Sequence, residues 1–325
     1  MTSFKYKGQE LLESGLYANF FRVPTDNDEG GGKESYAARW REAGLDSLKL
    51  MGSDLRVEKI NPHVYKVSLV KSLQGKTGGF LVSSIYTVYA TGDIHLQNTF
   101  TPSGTWPPLA KIGLKFEMPA QYDHVQWYGR GPYETYADRK SSAKVGVYEG
   151  TVDEQHFPYI MAQENGNKTD VRWMAVTNAD GLGLLAISDS VFNISVHNYT
   201  DQALLAAKKP GTQLSKDSVT VVNLDLAQMG LGGDDSWSPR VHDAYQLPAQ
   251  PYSYSFRLKP IDRADDISTF VHTTLPIIAQ AMSPGVGTET LPEEGEDEAT
   301  AAPRPATKKA PVKYPVKKKT YTKRR

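Results

Sequence analysis

Residues 82–100 read VSSIYTVYATGDIHLQNTF. Two runs rich in Val, Ile, Tyr, Thr and Phe alternate apolar and polar residues at period two. They flank the turn signal Thr91-Gly92-Asp93, the pattern of an antiparallel hairpin. The same alternation recurs on either side, in VYKVSLV (64–70), KIGLKFEM (111–118), VRWMAVT (171–177), FNISVHNYT (192–200), SVTVVNLDL (218–226) and YSYSFRLKP (252–260). Many strands at short spacing with no regular helix between them predict an all-β antiparallel sandwich and argue against a doubly wound α/β fold. Helices are expected only as insertions. In ESYAARWREAG (34–44), Tyr36, Ala37, Trp40 and Ala43 fall on one face and Gly44 is a C-terminal stop. TDQALLAAKK (200–209) offers Asp201 as an N-cap, and DDISTFVHTT (265–274) starts at Asp265 or Asp266.

The chain has 325 residues, enough for a substantial core, and its 37 basic and 37 acidic residues cancel. No global field therefore argues for nucleic acid or an acidic membrane as partner. The balance hides a local contrast. Glu289, Glu293, Glu294, Glu296, Asp297 and Glu298 lie in a run without bases, and residues 301–325 then carry Lys and Arg without acids. With few bulky aliphatic residues, 284–325 is expected to be a disordered acidic-then-basic tail behind a folded domain at 1–283. Cysteine is absent, which excludes disulfides, thiolate metal sites and cysteine nucleophiles. The N-terminus lacks an apolar signal core and no run reaches the length of a spanning helix, so the sequence reads as soluble. The opening MTSFKYKGQELL begins on what reads as the end of a strand, and a truncated or separately encoded module is expected.

No G-x-S-x-G elbow, phosphate loop, H-E-x-x-H or dinucleotide fingerprint is present. The histidines at 63, 95, 124, 156, 197, 242 and 272 lack metal-ligand spacing. Asp26, Asp28, Glu134, Asp138, Glu164, Asp234 and Asp235 sit in Gly- or Pro-flanked segments, where turns and caps are the usual explanation. The chain alone does not read as a complete enzyme. Four polar, aromatic and glycine-rich blocks carry the information: RVPTDNDEGGG (22–32), WYGRGPYETYADRK (127–140), QENGNKTDVRW (163–173) and MGLGGDDSWSP (229–239). Each combines glycines, turn-forming side chains and an aromatic or arginine that they orient.

These four blocks in this order, with FNISVHNY and NLDLAQMG between the last two, resemble the C-terminal or small-chain domain of bacterial β-galactosidases, the family 2 glycoside hydrolases. The resemblance spans about Leu11 to Lys259. It implies a large supersandwich similar to galactose mutarotase. The catalytic acid/base and nucleophilic glutamates would then sit in a TIM-barrel domain outside this chain, so no catalytic residue is assigned here. It also implies no cofactor on this chain, with Mg or Na held in the catalytic domain. The partners implied are the large chain or barrel domain and a β-galactoside, in an oligomer of the complete enzyme. A cytoplasmic enzyme is implied, or a periplasmic one if an upstream part carries a signal.

The resemblance also implies residue roles. Trp237 would form a platform for the non-galactosyl part of a lactose-type substrate, its indole covering the C–H face of a sugar. Gly232, Gly233, Asp234 and Asp235 would shape that loop. Asp28 and Gly30 would belong to a mobile active-site loop, with Gly30 at a hinge-like position. Tyr133, Glu134, Tyr136, Asp138 and Arg139 are expected to form a buried network, with Arg172 paired to an acid. The alternative from another class is a stand-alone carbohydrate-binding or aldose-epimerase-like sandwich protein.

Overall fold

Strands β1 (Lys5–Tyr6), β2 (Gln9–Glu10) and β3 (Ser14–Asn19) open the chain, followed by helices α1 (Asp26–Glu29) and α2 (Tyr36–Ala43). A run of long strands comes next: β4 (Lys49–Asn61), β5 (Val64–Gln74), β6 (Gly78–Tyr89), β7 (Ile94–Gly104), β8 (Lys111–Pro119), β9 (His124–Gly131), β10 (Lys144–Thr151), β11 (Lys168–Thr177) and β12 (Gly183–His197). Helix α3 (Asp201–Ala207), β13 (Val219–Gln228), β14 (Tyr252–Ile261) and α4 (Ile267–His272) complete the order. The computed structural model describes residues 1–208, 213–235 and 240–276. Met1–Thr274 form one compact unit, and a second begins at Leu275. The expected tail, 284–325, lies outside the described residues.

β6 and β7 pair antiparallel from Gly78↔Gly104 to Val88↔Ile94, with Gly92 at φ 82° in the turn, so the hairpin read from residues 82–100 is real. One antiparallel sheet runs β10-β9-β11-β12-β14-β7-β6-β5-β4 and branches at β12 through β13 and β8 to β3. The branch folds the sheet into two layers around one core. Phe20 stacks on Phe80 with ring centroids 3.9 Å apart, and Phe100 meets Phe20 edge-on at 5.6 Å. The fold is the antiparallel supersandwich, with short helices as insertions.

Helix α2 buries Tyr36, Ala37, Trp40 and Ala43, the face read from the sequence, and stops at Gly44 with φ 76°. Trp40 is fully buried and donates its indole N–H to the Pro108 carbonyl at 2.7 Å. Asp266 caps α4, one of the two expected positions. The α3 expectation is corrected by one residue. Thr200, not Asp201, is the N-cap: its hydroxyl accepts from the Ala203 N–H at 3.1 Å while its own N–H is held by Asp217 at 2.7 Å. Asp201 sits in the first turn and pairs with Lys115 at 2.6 Å.

Candidate functional site

The first block is organised by one buried arginine. Arg22 leaves the β3 end of the core and meets Asp28 in a bidentate pair, Nε to Oδ2 at 2.9 Å and Nη2 to Oδ1 at 2.7 Å. Both side chains are essentially without solvent contact. Asp28 is held there by its own helix. Thr25 accepts from the Asp28 N–H at 3.2 Å and donates its N–H to the Asp28 carboxylate at 2.9 Å, a reciprocal capping box on α1. The rest of the Arg22 fork donates to the Met229 carbonyl at 2.6 Å, the Gly230 carbonyl at 3.0 Å and Gln228 at 3.2 Å. Burial alone would lower the arginine pKa, but Asp28 more than offsets it and the guanidinium stays charged. One side chain thus ties the first block to the fourth.

The other blocks close around this tie. The Asp138 carboxylate accepts from the Leu231 and Gly232 N–H groups at 3.0 and 2.8 Å, and Asn27 donates to the Leu231 carbonyl at 3.1 Å. Gln163 receives the Asp26 N–H and returns a bond to its carboxylate, both at 3.0 Å. Glu134 accepts from the Gly166 N–H at 2.8 Å and from the hydroxyls of Tyr136 and Tyr159. Asn167 donates to the Thr135 carbonyl at 2.8 Å, and Gln228 reaches Glu164 at 3.3 Å. The four blocks, far apart in sequence, form one hydrogen-bonded shell.

Beneath the shell lies a layer of buried charge. Lys111 stands 3.1 Å from Glu164 and 3.5 Å from Asp225, with all three almost wholly buried. Burial lowers the Lys111 pKa, but the two carboxylates override it and keep the ammonium charged. Burial pushes the Asp225 carboxyl up to about 6. Burial also brings His197 down to about 3, so it is neutral while its Nε2 lies 2.8 Å from the Asn165 carbonyl. Among the described residues, no group of His, Asp and Glu side chains is arranged to hold a metal ion.

Lys168 differs from Lys111, because its ammonium donates to the Gly166 carbonyl at 3.0 Å and lies 5.2 Å from the centre of the Trp127 ring, and it forms no ion pair among the described residues. Burial lowers its pKa to about 8. The folded state therefore loses this proton near pH 8, while the unfolded state holds it to the ordinary lysine range near 10.5. Below pH 8 the folded chain carries the full cost of the buried cation, and stability is regained as pH rises from about 8 to 10.5 by up to roughly 1.4 kcal/mol per pH unit. Lys168→Met keeps the stem and removes the charge. It is expected to raise the melting temperature at pH 7 and to flatten this rise, as read from thermal melts across pH 7–10.5. A lowered melting temperature at pH 7 would mean that the Gly166 and Trp127 contacts outweigh desolvation.

The residues expected to form the loop that bears Trp237 have distinct places. Trp237 itself lies outside the described residues. Gly232 and Gly233 adopt φ 67° and 104°, the left-handed region that favours glycine. A Cβ on Gly232 would stand 2.5 Å from the Arg240 carbonyl oxygen, and one on Gly233 would stand 2.9 Å from the Asn27 amide. The loop base therefore touches the first block directly. Asp234 pairs with His242 at 2.5 Å across the exposed loop, and this bond raises the His242 pKa. Asp235 follows it in a bend. Gly30 ends α1 with φ −65° and ψ 142°, a conformation open to any residue, whereas Gly31 and Gly32 take positive φ.

Tyr136 is buried as expected, while Tyr133 is half exposed and donates to the Ser142 carbonyl at 2.7 Å. Arg139 joins the network through its backbone, pairing with Tyr136. The expected acid partner of Arg172 is corrected. Arg130 binds the Asp170 carboxylate at 2.5 Å, while Arg172 donates to the Asp170 backbone carbonyl and lies 5.5 Å from the Tyr128 ring centre. Arg22, Lys111, Lys168 and Gln228 were not singled out from the sequence. No local signal marks Lys111, because Lys111, Lys115 and Glu117 alternate along KIGLKFEM as a solvent-facing side would.

The family described as beta galactosidase small chain matches residues 1–258. A β-galactosidase of Priestia megaterium is 37% identical over 262 residues, covering 80% of this chain and 24% of that protein. One from Vibrio cholerae is 36% identical over 258 residues, covering 78% and 24%. Among solved structures, a galactose mutarotase-like protein of Clostridium acetobutylicum aligns with a TM-score of 0.41 at 10% identity, over 77% of this chain and 80% of that one. The chain spans about a quarter of the length of the curated relatives it matches. With four blocks drawn into one shell and the match running through all of them, the chain belongs to the β-galactosidase small-chain family.

Proposed function

We propose that this chain is the small-chain part of a β-galactosidase that hydrolyses terminal β-D-galactosides with retention. Its role is to complete the mouth of an active site whose catalytic glutamates lie on the remaining three-quarters of the protein. One observation carries the reading: the shell of the four blocks grips the chain just before Trp237, with Arg22 on the Met229 and Gly230 carbonyls, Asn27 on the Leu231 carbonyl and Asp138 on the Gly232 N–H. Rigid support of this kind is what an aromatic sugar subsite needs, because misplacement of the ring loses the stack.

The test is to combine the chain with the tagged large chain from the same genome and assay β-galactoside hydrolysis with each alone and with both. Activity is expected only with both. Turnover by this chain alone would overturn the division of labour. Within the assembled enzyme, Trp237→Ala is expected to raise KM about fivefold while kcat changes less, because a partial indole stack on the leaving sugar contributes about 1 kcal/mol. An unchanged KM with lactose would remove Trp237 from the subsite.

A further inference from the structure

Among the described residues the branched sheet ends on three strands, β3, β4 and β10, each paired on one side only. Among the described residues β4 pairs only with β5, and β3 only with β8, so both present a free backbone edge. β4 has 13 residues, and almost every one is exposed. Directly opposed residues of an antiparallel pair point to the same face. Leu55 opposes Leu69, Val57 opposes Val67 and Leu50 opposes Leu73, and these three β5 residues pack against the core. Leu50, Leu55 and Val57 therefore continue the core face outward, yet they are 57%, 59% and 62% exposed. The opposite face of β4 is polar, with Asp54, Arg56 and Glu58.

A groove lies next to the stripe, at its β5 neighbour Leu69. Its lining includes Leu16, Tyr17 and Ala18 of β3 and Leu69, Lys71 and Val82 of β5 and β6. β3 thus lines the groove together with β5 and β6, and β4 contributes no residue to that lining. A long, exposed edge strand that carries an apolar stripe is a template for strand addition.

We propose that this open edge is the docking site for an extended β-segment of the large chain, one that pairs with β4 and turns an apolar face onto Leu55 and Val57. The inference rests on the small-chain reading above. A second copy of this chain fits less well. Two β4 strands joined edge to edge would pair their backbones but leave both apolar stripes bare, since neither copy brings a layer opposite β4. The relatives carry about three-quarters of their length outside the matched part, which is ample chain for such a segment. The face of β4 that carries Leu55 and Val57, with Ser53 and Lys59 on either side of them, sets the chemistry of the segment: alternating, with apolar side chains placed against Leu55 and Val57.

The experiment is a binding titration of the intact chain with the tagged large chain, paired with amide hydrogen exchange of both states. L55K/V57K is expected to weaken association about tenfold or more, because each lysine would be buried against an apolar face. Both positions are solvent-exposed, so the melting temperature of the variant alone is expected to stay near that of the parent. In the wild-type complex the β4 amides are expected to exchange at least about tenfold more slowly than in the free chain. If the variant fails to fold, the exchange result on the wild-type chain decides. Full association with β4 unprotected would overturn the docking site and leave the small-chain reading intact. No association at all by the wild-type chain would overturn both. A dimer of this chain alone with β4 protected would assign the edge to a second copy and overturn the proposal.

Discussion

Arg22→Ala is expected to destabilise the chain by about 3–5 kcal/mol, because it leaves the Asp28 carboxylate buried without its charge partner. Asp28 is 1% exposed, and Arg22 supplies both of its charged hydrogen bonds. The loss also frees the Met229 and Gly230 carbonyls and the Gln228 side chain. At a few degrees per kcal/mol for a domain of this size, the melting temperature should fall by roughly 10 °C. Arg22→Met with Asp28→Leu separates two roles. Replacing a buried ion pair by apolar residues often restores stability, so the double variant should melt well above Arg22→Ala. It cannot restore the bonds to the 229–230 backbone. In the assembled enzyme its activity should therefore remain low even where stability returns. Recovery of both together would mean that Arg22 acts only as a core residue; recovery of neither would point to the Thr25–Asp28 cap as the larger loss.

What was legible from sequence follows from the range of the interactions. Strand alternation and the α2 face depend on neighbours a few positions apart, and Tyr36, Ala37, Trp40 and Ala43 are buried as their spacing predicts. The α3 cap was misread by one residue because Thr200 and Asp201 both carry a capping oxygen. The choice between them came from Asp217, which fixes the Thr200 backbone from outside the helix. Lys111 and Lys115 alternate as a solvent-facing side should, yet both are buried. β8 is flanked by β13 and β3, and its polar side faces the charged layer below the four blocks, so period two marks two faces without saying which solvent each meets. The blocks themselves could be recognised one by one. Their convergence could not, because Arg22 and Gln228 are 206 positions apart and nothing local encodes that contact.

That convergence ends in the loop base, where a small change should have a large effect. Gly232→Val is expected to lower kcat/KM of the assembled enzyme by about tenfold or more, chiefly through KM, since displacements of about 1 Å can cost still larger factors. Two causes act together. The left-handed backbone at φ 67° costs an L-residue about 1–2 kcal/mol, and a β-branched side chain more. The new Cβ would stand 2.5 Å from the Arg240 carbonyl oxygen, a backbone atom that cannot rotate aside. Gly232 and Arg240 lie close together, so a side chain at 232 must force them apart at the base of the proposed subsite. Asp138, which grips the Gly232 N–H at 2.8 Å, resists that movement and turns it into strain on the shell. The defect should accordingly exceed that of Trp237→Ala, because it displaces the ring and loosens its support at once, while Gly232→Ala falls between them. Far-ultraviolet dichroism of the isolated variant should keep the strand signature, since the β-core lies behind the shell. Wild-type kinetics in Gly232→Val, with the fold intact, would show that the 232–240 loop does not shape the sugar site, and the proposed role of Trp237 would fall with it.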